Sequence, residues 1–125
     1  MTSDQKTDEL PKSKCKQELL ALHDSLEVLG GKWKLQILVY LTNRKDQENN
    51  FTRIKRGIDG ISAKMLVKEL RDLETNLLIT RVVQNSKPQT VTYSITEYGQ
   101  NVLPVTNTLL NWGLVHREKI KKTLG

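Results

Sequence analysis

The sequence predicts an α+β fold that is mainly helical and carries one β-hairpin of two or three strands. Two observations predict this fold. Leucine and isoleucine recur at the spacing of amphipathic helices along much of the chain, and two short runs, residues 78–83 and 90–95, are rich in Ile, Val, Thr and Tyr. Asn85, Ser86 and Pro88 separate the two runs, and these residue types favour turns.

The first half of the chain predicts two helices after an N-terminal tail. Residues 1–14 are polar and balanced in charge, so we expect a flexible tail ahead of one domain at residues 15–125. An apolar stripe from Glu18 predicts a first helix that ends at Gly30 and Gly31, and a second helix is expected to restart near Lys32. The stripes consist of Leu19, Leu22, Leu26 and Leu29, and then of Trp33, Ile37, Leu38 and Leu41. Residues 43–50 are polar and predict a loop.

A helix-turn-helix is predicted in the centre of the chain. Residues 51–58 can form a short helix, glycines at 57 and 60 turn the chain, and Ser62 is a good N-cap for the next helix. That helix carries one apolar and one basic stripe at the same spacing, formed by Leu66, Leu70, Leu73 and Leu77 and by Lys64, Lys68 and Arg71. The hairpin that follows is expected to be the wing of a winged helix-turn-helix.

The C-terminal segment predicts a helix that could join two copies of the chain. Thr96 is a suitable N-cap, and Pro104 predicts a kink or a late helix start. Two apolar stripes follow, one of Val102, Val105, Leu109 and Trp112 and one of Leu103, Leu110 and Leu114. One stripe can cover the domain core while the other meets a partner chain; the alternative is a helix buried wholly within its own domain. The expected dimer interface, formed by helices at both ends, is Leu19, Leu22, Leu103, Leu110, Trp112 and Leu114.

Composition limits the classes of function. The net charge is +6, and residues 51–95 hold eight basic against four acidic side chains, which favours an anionic partner. The sequence shows no secretory signal, membrane span, glycine-rich phosphate loop or cluster of carboxylates, so we expect a cytoplasmic protein that is not an enzyme. Two histidines and one cysteine in no ligand arrangement predict neither a metal site nor a cofactor.

The basic stripe predicts contact with double-stranded DNA. A helix fits the major groove, where basic side chains reach phosphates or guanine, and a helix N-terminus can hold a phosphate. The predicted DNA-binding residues are Lys32, Thr52, Arg53, Ser62, Lys64, Met65, Lys68, Arg71 and Lys87. Two alternatives stay open. Glu69, Asp72 and Glu74 could pair with the stripe and leave an ordinary charged surface, or the domain could serve as a protein-interaction module with an acidic partner.

Several motifs together resemble the HxlR-type branch of the MarR-like winged-helix regulators. They are Gly30-Gly31-Lys32-Trp33-Lys34, Phe51-Thr52-Arg53-Ile54, Gly60-Ile61-Ser62, Leu70-Arg71-Asp72-Leu73-Glu74, Val91-Thr92-Tyr93-Ser94-Ile95-Thr96-Glu97-Tyr98-Gly99, Leu103-Pro104 and Leu110-Asn111-Trp112. The resemblance implies a homodimeric transcriptional regulator that binds an inverted-repeat operator. It also implies that the helix after Ser62 is the recognition helix and that residues 81–93 form the wing.

The sequence departs from this family pattern at two places. Asn50 stands where many members have arginine, which implies one phosphate contact fewer. Cys15 lies farther upstream than the redox-sensing cysteine of many members, although Lys14 and Lys16 beside it favour the thiolate. Cys15 is therefore a candidate redox sensor, and an exposed cysteine without a role is the interpretation that we favour. A small-molecule or redox effector is the remaining candidate partner.

Overall fold

The computed structural model describes residues 12–125, and this part of the chain contains six helices and one two-stranded sheet. The elements are α1 Lys12–Leu29, α2 Lys34–Asn43, α3 Phe51–Gly57, α4 Ala63–Thr75, β1 Ile79–Gln84, β2 Thr90–Ile95, α5 Glu97–Gln100 and α6 Leu103–Leu124. Residues 1–11 of the predicted tail lie outside the described residues. The chain divides into a first unit that ends at Gly31 and a second unit, Lys32–Gly125.

Helix α1 is the described part of the first unit. It begins at Lys12, so the prediction of a helix start at Glu18 was six residues too late. The helix ends at the double glycine as predicted, because the amide of Gly30 donates to the carbonyl of Leu26 at 2.7 Å and Gly31 has a φ of +89°. The leucines of its apolar stripe, Leu19, Leu22 and Leu26, are exposed.

The core of the second unit lies between α2, α3, α4 and the hairpin. Helix α2 begins at Lys34, two residues later than predicted. Its inward side chains Ile37, Leu38 and Leu41 are buried, whereas Trp33 is half-buried. The other fully or almost fully buried apolar side chains are Ile54, Ile58, Ile61, Leu66, Leu70, Leu73, Leu78, Ile79 and Ile95.

The helix-turn-helix is formed by α3, the turn after it, and α4. The Asn50 side chain caps α3 by accepting from the amide of Arg53 at 2.8 Å, and Ser62 caps α4 by accepting from the amide of Met65 at 3.1 Å. Gly60, with a φ of +86°, turns the chain between the two helices. The prediction of this motif and of the Ser62 cap is confirmed.

Helix α4 ends two residues before Leu77, so the prediction that Leu77 continues the buried leucine stripe was wrong. The amide of Leu78 donates to the carbonyl of Leu73 at 3.0 Å, and the amide of Leu77 donates to the carbonyl of Glu74 at 3.0 Å. These two bonds form a Schellman motif, whose left-handed position is usually glycine. Here that position is Leu77, with a φ of 67° and a side chain that is 69% exposed.

The hairpin pairs β1 with β2 in antiparallel register from Ile79 opposite Ile95 to Gln84 opposite Thr90. A third strand is reduced to one isolated bridge, Asn50 with Thr92, next to which the amide of Tyr93 donates to the carbonyl of Asn49 at 2.9 Å. The wing is therefore two-stranded, and the loop before α3 is attached to its inner strand.

The C-terminal segment begins with the short helix α5, and its predicted Thr96 cap is confirmed by a bond from the amide of Gly99 at 2.8 Å. Pro104 lies in the first turn of α6, so the predicted late start is confirmed. Of the residues of α6, only Thr106 is buried. Val105, Leu109 and Trp112 of the first apolar stripe are exposed. In the single chain this stripe therefore does not pack on the core, and the helix is not buried within its own domain. None of the described helices combines the length and apolar character needed to cross a membrane.

Replacement of Leu77 by glycine should stabilise the domain. A left-handed backbone costs a non-glycine residue about 1–2 kcal/mol, and the exposed Leu77 side chain loses little packing. We expect Leu77→Gly to raise the free energy of unfolding by about 1 kcal/mol, measured by urea denaturation. Glu74→Gly, inside α4, is the control and should destabilise by about 1 kcal/mol; equal destabilisation by both variants would contradict the argument.

Candidate nucleic-acid interface

The basic stripe of α4 lies on the protein surface. Lys64, Lys68 and Arg71 are exposed, whereas Leu66, Leu70 and Leu73 on the opposite face are at most 2% exposed. Among the described residues, neither Lys64 nor Arg71 takes part in an ion pair. Two cations of the stripe are therefore available to an anionic partner, on a helix that the core holds in place.

Lys68 is paired with acidic groups of its own helix. Its Nζ lies 3.0 Å from Asp72 Oδ2 and 3.5 Å from Glu69 Oε1. The hydrogen bond to Asp72 raises the pKa of Lys68, and the same bond lowers the pKa of the Asp72 carboxyl. Both groups are thus ionised at neutral pH. The alternative that acidic residues of the same helix pair with the basic stripe is therefore correct for Lys68.

A buried ion pair joins α4 to α2. Lys34 Nζ lies 2.8 Å from Glu69 Oε2 and 3.5 Å from Asp72 Oδ2, and the side chains of Lys34 and Glu69 are only 10% and 6% exposed. Sequence reasoning missed this contact, since the partners are 35 residues apart. The available signal was the position of Glu69, next to Leu70 and three residues after Leu66, on the buried face of the helix.

An open cleft of about 400 Å³ lies between α4 and the wing. Arg71 and Glu74 of α4 and Arg81 and Tyr93 of the hairpin line it, together with the apolar side chains of Val67 and Leu70. Arg81 was not among the predicted site residues, although its place on β1, directly after the basic helix α4, was a usable signal. The fold therefore brings an arginine from the wing to the same cleft as an arginine of the basic stripe.

The remaining predicted DNA-binding residues are spread over neighbouring elements. Thr52 and Arg53 are exposed on α3, where an Arg53 guanidinium nitrogen donates to the carbonyl of Glu48 at 3.1 Å. Lys87 is exposed in the hairpin turn, and Met65 is partly exposed on α4. Lys32 is exposed just before α2, with its Nζ 4.8 Å from the centroid of the Trp33 ring. The structure gathers Ser62, Lys64, Lys68 and Arg71 on one helix.

The candidate sensor and dimer residues lie on α1 and α6. Cys15 is exposed on α1, as are Leu19 and Leu22. On α6, Leu110, Trp112 and Leu114 are exposed, and Leu103 is half-buried. The Trp112 ring stacks on His116 with the centroids 4.7 Å apart, which orders part of this surface.

Comparison with known proteins places this fold among regulators. The family model described as HxlR-like helix-turn-helix matches residues 28–121. Two relatives from Bacillus subtilis (strain 168) are HTH-type transcriptional regulators. YtcD is 37% identical over 101 residues, which are 81% of this chain and 78% of YtcD, and YkvN is 39% identical over 93 residues, 74% and 76% of the two chains.

Solved structures agree with the family match. The crystal structure of YtcD aligns with a TM-score of 0.71 at 37% identity and covers 78% of this chain and 96% of YtcD. The redox regulator HypR in its reduced form aligns with a TM-score of 0.72 at 29% identity and covers 82% of this chain and 98% of HypR. The predicted winged-helix fold is thereby confirmed.

Breaking the Lys34–Glu69 pair from either side should have unequal effects on stability. Lys34→Met leaves Glu69 buried with only the longer contact to Lys68, and we expect a loss of about 3 kcal/mol in the free energy of unfolding. Glu69→Leu should cost less, because Lys34 keeps Asp72 as a partner at 3.5 Å. Urea denaturation of each variant measures the two losses.

The double variant Lys34→Met/Glu69→Leu is the matched control for that experiment. It buries two apolar side chains in place of two charges, so its stability should return to within about 1–2 kcal/mol of the wild type. Additive losses in the double variant would show that the two side chains do not interact.

Proposed function

The chain belongs to the HxlR-like helix-turn-helix family of transcriptional regulators, and from this premise we propose that it binds an inverted-repeat DNA operator as a homodimer and reads it with α4. The observation that carries the proposal is the exposed basic stripe of α4, backed by buried leucines and by the Lys34–Glu69 ion pair. The buried leucines and the ion pair belong to the same compact unit. The basic stripe therefore has a fixed orientation before DNA binds.

Each end of the stripe has a different part in this proposal. Lys64, in the first turn, is exposed and unpaired among the described residues, so it is assigned to a base edge in the major groove. The amides of the first turn of α4 have no acceptor within the helix, and with the Ser62 cap they form a site for a phosphate. Met65 beside them offers apolar contact to a base. When Lys68 contacts a phosphate, its ammonium group is shared between that phosphate and the carboxylate of Asp72.

The wing and α3 are assigned to the phosphate backbone. Arg71 and Arg81 line the cleft between α4 and the hairpin, so a DNA strand that follows this cleft meets two guanidinium groups. Lys87 at the hairpin turn and Thr52 and Arg53 on α3 extend the contact on either side. Lys32 lies before α2 and is assigned to a phosphate at the edge of the site.

A homodimer is supported by the exposed apolar side chains of α6 and α1. Leu110, Trp112 and Leu114 are each about half exposed or more, and Leu19 and Leu22 are more than half exposed. Apolar patches of this kind on a small protein mark contact surfaces. A two-fold axis through the α6 surface would place two copies of α4 about one turn of DNA apart, ~34 Å, and this spacing requires an inverted-repeat operator. Leu103, half-buried, is assigned to the edge of the interface.

The hypothesis of a redox effector depends on a single thiol, that of Cys15. HypR, one of the solved structures with this fold, is a redox regulator that was determined in oxidised and reduced forms. Cys15 is exposed and is the single cysteine of the chain, so a disulfide could form only with a second molecule.

Removal of individual cations should separate base reading from phosphate contact. With a duplex selected from random sequences, Lys64→Ala should reduce the free energy of binding by about 1–3 kcal/mol and relax the sequence preference at one base pair. Arg71→Ala should weaken all duplexes alike and reduce the log–log salt slope by about 1. Lys68→Ala should have a smaller effect of the same kind, because Asp72 already neutralises part of its charge. Fluorescence anisotropy over a range of salt concentrations measures each effect.

Lys119→Ala, which removes the same charge from an exposed site on α6, is the matched control and should retain the affinity of the wild type. Equal affinity of Lys64→Ala, Arg71→Ala and the wild type at low salt would exclude α4 as the recognition helix. Binding of an acidic protein, with no salt-dependent binding of duplex DNA, would favour the alternative of a protein-interaction module.

Charged substitutions on α6 should break the dimer. We expect a dimer at micromolar concentration, and Trp112→Lys/Leu114→Lys should raise its dissociation constant about 100-fold, because each substitution buries a charge on both sides of the interface. Light scattering at several concentrations measures the dissociation. Gln89→Lys, at an exposed polar position of the hairpin loop outside the proposed interface, should remain dimeric; a monomeric wild type would refute the assignment.

A further inference from the structure

A second cluster of basic side chains lies away from α4, where the end of α2 meets α3. Arg44, Arg53 and Arg56 line one open cleft of about 320 Å³, with Tyr40 and Gly57 at its edge. No acidic side chain lines this cleft, and among residues 12–125 none of the three arginines forms an ion pair. Three like charges that line one cleft have a net attraction for an anion.

A cleft with an apolar side adjoins the arginine cleft. It has a volume of about 360 Å³, and Val39 of α2, Ile58 after α3 and Leu110 of α6 line it together with the polar side chains of Gln36 and Asn43. Tyr40, Arg44 and Gly57 line both clefts, so the two are parts of one surface depression with a basic end and an apolar end.

The boundary between the two ends is held in place by specific contacts. The Tyr40 hydroxyl donates to the carbonyl of Arg53 at 3.0 Å, and the Arg44 guanidinium lies 4.3 Å from the centroid of the Tyr40 ring. A Cβ atom at Gly57 would lie 2.0 Å from the Tyr40 ring, so only glycine permits this packing. The ring and the Arg44 guanidinium are therefore positioned without a ligand, which reduces the entropy cost of binding one.

We propose that this depression binds a small amphipathic anion, a phosphate or carboxylate group attached to an aromatic ring or a short hydrocarbon. The anionic group lies between Arg44 and Arg56, whose planar guanidinium groups match the geometry of such oxygens. The apolar part lies along the half-buried side chain of Val39. Sites for small ligands combine an apolar wall with a few placed polar groups in this way. The proposal does not depend on operator binding, since the ligand is measured on the protein alone.

Phenyl phosphate is the probe that tests the proposal, because it carries both the dianion and the ring. Amide chemical shifts of the full chain, recorded by NMR during titration, should change at Gly57 and around Arg44. Phenyl phosphate should bind about tenfold more tightly than inorganic phosphate, since the ring is transferred from water to the apolar end. Benzyl alcohol, which has the ring without the charge, should bind at least tenfold more weakly than phenyl phosphate, by a similar estimate.

Two substitutions test the two ends of the depression separately. Arg56→Gln should weaken phenyl phosphate and inorganic phosphate by about tenfold each, because one charged hydrogen-bond donor is lost from the site. Val39→Thr should weaken phenyl phosphate by about threefold and leave inorganic phosphate unchanged, because it alters only the apolar end. Lys119→Ala, which removes a charge outside the depression, should change neither affinity.

Three outcomes would overturn the proposal. Equal affinity for phenyl phosphate and inorganic phosphate would show that the apolar cleft contributes nothing. Unchanged binding of phenyl phosphate to Arg56→Gln would place the ligand elsewhere. A loss of duplex affinity in Arg56→Gln without a loss of phenyl phosphate affinity would assign the arginines to the DNA backbone instead.

Discussion

The structure of the proposed DNA-binding surface depends on how α4 is fixed to α2. Three leucines of α4 are packed in the core, but apolar packing is not directional and would tolerate small rotations of the helix. The Lys34–Glu69 ion pair, at 2.8 Å, adds a directional contact on the same face. The desolvation of two charges offsets much of their attraction, so the pair contributes less to stability than to orientation. Rotation of α4 would separate the charges and leave Glu69 buried beside only a distant partner.

Asp72 couples this buried contact to the surface that would meet DNA. Its carboxylate lies 3.5 Å from Lys34 and 3.0 Å from Lys68, so one acidic group serves a buried and an exposed lysine. A phosphate that approaches Lys68 has to compete with Asp72 for the ammonium group. Because Lys34 and Glu69 already compensate each other, Asp72 can release Lys68 without leaving an uncompensated buried charge. Asp72, which competes with DNA for Lys68, therefore limits the strength of the contact between Lys68 and the DNA backbone.

Local sequence patterns predicted the elements well because each depends on neighbouring residues. The leucine spacing and Ser62 located α4, and turn residues with β-branched runs located the hairpin within one residue of its ends. The Lys34–Glu69 pair could not be predicted, since it depends on how two helices pack. Leu77 was assigned to the helix because the apolar spacing continues past Thr75, whereas backbone bonds to Leu73 and Glu74 end the helix there. The DNA-binding and dimer residues are assigned by exposure, which no local pattern specifies completely.

The distribution of charge along α4 indicates which end enters the groove. The first two turns hold Ser62, Lys64 and Lys68, and the positive end of the helix dipole adds to them. The last two turns hold Asp72 and Glu74, which repel phosphates, and in this half only Arg71 is a cation. Arg71 lies beside Arg81 in the cleft next to the wing, so the basic surface turns away from the helix axis towards the hairpin. A helix inserted by its N-terminal end brings Ser62 and Lys64 closest to the bases, whereas insertion along its full length would press both Asp72 and Glu74 against the backbone.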